Sequence, residues 1–167
     1  MCGIVGIFAK TPSTRERLGE NLGQMLAQLG ERGPDSAGVA IYRDPAPPGS
    51  TKLSLYAPAG ADWDVVARAL DAALGLERMH VAGARHALLV LRGEPQAVRE
   101  HVARLAHELP EAPELQVMSA GREMEIYKEA GSPARFAASV SLRTLSGSHA
   151  IGSRSTANPS AVPTANV

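Results

Sequence analysis

Ile4, Val5, Ile7 and Phe8 crowd the start of the chain with Gly3 and Gly6 between them. That pattern predicts a buried β-strand over residues 3–9, because β-branched and aromatic residues favour strands and glycine lets another backbone approach closely. From Thr14 to Leu29 the rhythm changes. Leu18, Leu22, Met25, Leu26 and Leu29 recur at helical spacing, and Gly30, Gly33 and Pro34 end the pattern, predicting one amphipathic helix in spite of Gly19 and Gly23. Ala37 to Tyr42 and Lys52 to Tyr56 read as strands on either side of a loop containing Pro45, Pro47, Pro48 and Gly49, which predicts a hairpin.

Asp62 is placed to cap a helix whose stripe is Val65, Val66, Ala69, Leu70, Ala73 and Leu74, with Gly75 at its end. Met79 to Leu91 returns to strand, and Pro95 opens a further helix carrying Val98, Val102 and Leu105. Leu115 to Met118 and Met124 to Tyr127 predict a second pair of strands, Pro133 a short helix through Ala138, and Leu142 to Ile151 a last weakly apolar piece. The order is that of an α+β protein. After Gly152 the residues are small, polar and broken by proline, so 1–152 is expected to form one domain and 153–167 a disordered tail.

Charge narrows the candidate functions. Seventeen basic residues balance seventeen acidic ones, leaving no net field to hold a nucleic-acid backbone or an anionic membrane. The longest apolar runs fall far short of the ~20 residues that cross a bilayer. The sole cysteine, Cys2, allows no internal disulfide, and the start carries no signal-peptide features, so a cytoplasmic location is expected. The five histidines show no metal-ligand spacing with one another or with Cys2, and nothing in the sequence demands a cofactor. Trp63, beside Val65 and Val66, reads as a packing residue.

Cys2 is the residue with distinctive chemistry. A thiol is a weak nucleophile until a base takes its proton. Removal of Met1 would give Cys2 a free α-amine, whose ordinary pKa of about 7.7–8.0 suits it to be that base. Nucleophile and general base would then share one residue, with their geometry fixed by the strand that follows. Taken alone, a single cysteine is more often a small buried hydrophobe.

Two motifs shift that balance: Met1-Cys2-Gly3-Ile4-Val5-Gly6-Ile7-Phe8, and Arg32-Gly33-Pro34-Asp35-Ser36-Ala37-Gly38 further along. Together they resemble class II glutamine amidotransferases, members of the N-terminal nucleophile hydrolases. Met124-Glu125-Ile126-Tyr127-Lys128-Glu129 and Ser148-His149-Ala150-Ile151-Gly152 bring the resemblance closest to the glutaminase subunit of N-methylglutamate synthase, a relative of the glutamate synthase glutaminase domain. The likeness runs from Met1 to about Gly152.

The resemblance implies a four-layered α/β/β/α sandwich, here incomplete at its C-terminal side. It also implies hydrolysis of glutamine to glutamate and ammonia through a Cys2 thioester, with ammonia passed to a glutamate-synthase-like flavin and iron–sulfur subunit. Arg32 and Arg154 would bind substrate, and Gly33 and Asp35 would shape the pocket. The Arg32-to-Asp35 segment also reads simply as a helix-ending turn. After the glycine matching Gly152 the family continues histidine-threonine-arginine, with a threonine three residues later. Here Ser153-Arg154-Ser155-Thr156 follows, so an ungapped match places Ser155 and Asn158 at those positions, and a one-residue deletion restores Arg154. A serine there would lose both the charge and the fork that suit a carboxylate.

The family's oxyanion asparagine-glycine pair and its amine-binding aspartate have no match before Val167, and the chain is therefore expected to be truncated. Loss of one oxyanion donor costs about 100-fold to 1000-fold in rate, so an inactive remnant or partner-binding fragment is the alternative reading. The glutaminase part of a purine or aminosugar amidotransferase is a further one.

Overall fold

The structure is a computed structural model and describes residues 3–29, 36–110, 112 and 114–155. The described residues form an α+β fold with two four-stranded sheets and five α-helices. Two compact units divide the chain: Met1–Arg43 with Ile126–Val167, and the continuous stretch Asp44–Glu125.

The discontinuous unit is built around a sheet of β1 (Gly3–Phe8), β2 (Ser36–Tyr42), β7 (Met124–Ala130) and β8 (His149–Ser155), in the order β1-β8-β2-β7. Strand β8 runs antiparallel to both β1 and β2. It continues through Ser155, beyond Gly152, and the remainder of the expected tail, 156–167, lies outside the described residues.

The single helix expected over Thr14 to Leu29 is two: α1 (Pro12–Glu16), capped by the Thr11 side chain, and α2 (Leu18–Ala27). The break falls at Arg17. Leu18, Leu22 and Leu26 of α2 are fully buried, and α2 lies against β1, β8, the helix α5 (Pro133–Ser139) and the 3-10 turn Leu142–Thr144. Gly19 explains itself here. A Cβ at that position would overlap the Leu142 carbonyl oxygen, while the Gly19 N–H donates to the Leu145 carbonyl at 2.9 Å.

The continuous unit holds β3 (Ser50–Tyr56), β4 (Leu76–Ala82), β5 (His86–Arg92) and β6 (Gln116–Gly121), in the order β4-β5-β3-β6. Helices α3 (Trp63–Leu74) and α4 (Pro95–Leu105) pack on it. Asp62 caps α3 by accepting from the Asp64 and Val65 N–H groups, both at 3.1 Å, and the helix ends at Gly75. Leu53, Leu55, Leu89 and Leu91 form a core with Val66 and Leu70 of α3 and Val98 and Val102 of α4. Trp63 joins that core, its Nε1 donating to the Ala84 carbonyl at 3.1 Å.

Both expected hairpins are corrected. Strand β3 pairs with β5 and β6 and not with β2, while β7 lies beside β2 in the other sheet and not beside β6. Adjacency in the chain made these strands look like partners. Burial decides otherwise: β3 is buried at Ser50, Thr51, Lys52, Leu53, Ser54 and Leu55, so it needs a neighbour on each side and cover on each face. The continuous run over Met79 to Leu91 is itself a hairpin, β4 and β5 turning between Ala82 and His86.

Candidate active site

Strand β1 begins at Gly3, the residue after Cys2. Cys2, Arg32, Gly33 and Asp35 lie outside the described residues, so the site is read from the frame around them. In that frame Gly3 pairs with Arg154, Arg154 with Ala37, and Ser155 with Ser36. The last described strand thus lies between the start of β1 and the start of β2.

Arg154 is 7% exposed, and its Nη1 donates to the Leu29 carbonyl at 2.7 Å. Leu29 follows α2, where the last carbonyls of a helix lack partners within the helix and carry its negative dipole end. A guanidinium satisfies both conditions there. The bond joins the end of β8 to the point from which the chain runs on to Arg32.

Strand periodicity separates the two candidates for the family's arginine. Side chains alternate along β8: Ala150, Gly152 and Arg154 are buried, Ile151 and Ser153 exposed, and Ser155 half-buried. Arg154 therefore shares the inward face with Gly152, whereas Ser155 faces the other way. Gly152 has its own constraint, since a Cβ there would lie 2.8 Å from a methyl of the fully buried Leu26.

His149 stacks between Tyr42, ring centres 4.0 Å apart, and Phe8, at 5.8 Å, across three adjacent strands. Its Nδ1 lies 3.0 Å from the Ser148 hydroxyl. Among the described residues no group of His, Cys, Asp or Glu side chains could hold a metal ion.

Sequence reasoning missed the state of Glu125. It is 1% exposed and accepts from the Lys52 Nζ at 3.0 Å, with Lys52 only 7% exposed. Along β7 the buried positions are Glu125, Tyr127 and Glu129, so both carboxylates of this motif point inward while Lys128 is half-buried on the other face. A period of two through Met124 to Glu129 was the available signal, against the usual cost of burying a charge.

The architecture and the frame around Gly3 define an α+β protein whose first strand is paired along one edge with its final described strand. No protein-family model matches the chain. A glutamine amidotransferase-like protein, GlxB, of Rhizobium meliloti (strain 1021) is 37% identical over 172 aligned positions, covering 98% of this chain and 52% of the relative. That similarity supports a glutamine amidotransferase family. The chain spans about half the length of the curated relative it matches. Among the described residues no helix is long and apolar enough to cross a membrane.

Proposed function

We propose that the chain carries the glutaminase half-reaction of a class II glutamine amidotransferase with the N-terminal nucleophile hydrolase fold. The observation that carries this reading is the match along 98% of the chain to a protein bearing the amidotransferase-like name, in a sequence that opens with Met1-Cys2-Gly3. The Cys2 amine takes the thiol proton, the sulfur attacks the glutamine carboxamide carbon, and the C–N bond breaks as that proton passes to departing ammonia. Water then cleaves the thioester to glutamate and regenerates the thiol.

Arg32 and Arg154 are the proposed cations for the substrate carboxylate, with Gly33 and Asp35 shaping the pocket. One Arg154 nitrogen already donates to Leu29, so the same side chain braces the segment leading to Arg32. Ammonia passes to a glutamate-synthase-like flavin and iron–sulfur subunit in this reading.

Intact mass spectrometry before and after incubation with a diazo-ketone glutamine analogue tests it. The expected outcome is a chain lacking Met1 that gains one adduct, and a Cys2→Ala chain that gains none. Retained Met1 or an unreactive wild-type chain sinks the glutaminase reading and leaves a non-catalytic member of the family.

A further inference from the structure

The end of α2 and the residue just beyond it sit in two notches of adjacent strands. Leu29 occupies the first: a Cβ at Gly3 would lie 3.0 Å from its Cδ2 and 3.2 Å from its Cδ1. Leu26 occupies the second, at Gly152, and the register that sets Gly3 opposite Arg154 sets Val5 opposite Gly152. The Leu29 N–H donates to the Leu26 carbonyl at 3.0 Å, and the Leu29 carbonyl accepts from Arg154 at 2.7 Å. Leu29 is therefore tied to its own helix, to a guanidinium from β8 and to the bare backbone at the start of β1.

Its neighbours in the chain give that position a chemical meaning. Gly3 is bonded directly to Cys2, and Arg32 comes three residues after Leu29. The two motifs thus approach each other through one side chain resting on one glycine. Leucine at 29 and glycine at 3 depend on each other, because a side chain at 3 would push Leu29 away and a smaller side chain at 29 would empty the notch and let Gly3 shift. A misplacement of about 1 Å between reacting groups can cost about 100-fold in rate.

We propose that Leu29 is a positioning residue for the glutaminase reaction, its side chain in the Gly3 notch setting the separation between the Cys2 sulfur and the carboxylate-binding segment at Arg32. This role rests on the glutaminase reading above. Leu29 touches no substrate in it and acts through Gly3 on one side and through the Arg154 clasp on the other. A glutamine analogue held by its α-carboxylate must bridge the separation that Leu29 sets, whereas a small thiol reagent with no second anchor is indifferent to it.

The sole cysteine lets intact mass spectrometry read both kinds of reaction. The full chain and its Leu29→Ala, Leu29→Val and Leu22→Val variants are treated with the diazo-ketone glutamine analogue and, separately, with iodoacetamide, once mass has shown Met1 absent and circular dichroism has shown each chain folded. Leu29→Ala should slow the analogue about tenfold to 100-fold and iodoacetamide by less than about twofold, with Leu29→Val between it and wild type. Leu22→Val, about two turns back in α2 and fully buried, should lower the Tm and leave the ratio of the two rates unchanged. Where Leu29→Ala does not fold, Leu29→Val decides. A wild-type chain inert to the analogue sinks the glutaminase reading and this role with it, whereas a reactive wild type whose ratio of rates survives both Leu29 variants overturns this role alone. Both rates falling together, or Leu22→Val moving the ratio as far as Leu29→Val does, makes Leu29 an ordinary packing residue and overturns it equally.

Discussion

Strands β5 and β1 have similar apolar content and opposite fates. His86, Ala87, Leu88, Leu89, Val90 and Leu91 are all buried in β5, an interior strand of its sheet, whereas β1 alternates half-buried and exposed residues at the end of its own. Hydrophobicity alone does not tell an interior strand from an edge strand with one uncovered face. What separates them is whether cover exists on both sides, and among the described residues the helix that covers β1 is α2.

The contrast can be broken by substitution. Leu89→Ala removes a fully buried side chain from the core between β5 and the helices α3 and α4. It should cost about 2–5 kcal/mol, seen as a lower urea midpoint with an unchanged slope. Gly152→Ala probes the covered face of the β1–β8 sheet. Its Cβ must displace Leu26 beneath α2, a cost of about 1–3 kcal/mol that thermal unfolding would register as a lower Tm. Ile4→Ser, on the bare face, should shift stability of the isolated chain by less than about 0.5 kcal/mol. A loss there as large as that of Leu89→Ala would mean that the Ile4 face is covered in solution.

Apart from the break at Arg17, helices were legible because their signals are local. Asp62, Gly75, Pro95 and Pro133 mark the helix boundaries where the sequence places them. Strand existence was legible too, but partnership was not. The choice between β2 and β5 as neighbour for β3 depends on residues far apart in the chain, and a proline-rich loop between two strands is not a hairpin signal by itself. In the candidate site, the motif match left Arg154 and Ser155 as rivals one position apart. Strand alternation, invisible to an ungapped comparison, gives the two residues opposite faces. The burial of Glu125 escaped because its counter-charge, Lys52, comes from another strand, 73 positions away.

The position of β8 also orders events in time. The bond from Arg154 to Leu29 spans 125 positions, and β8 must enter between β1 and β2 before either strand gains that neighbour. At the usual synthesis rate of about 5–20 residues per second, the nascent strand β1 waits on the order of 7–30 s for β8 to be made. The stretch Asp44–Glu125 is continuous and can close on itself during that interval. Strand β1 is therefore translated first and gains its neighbour among the last.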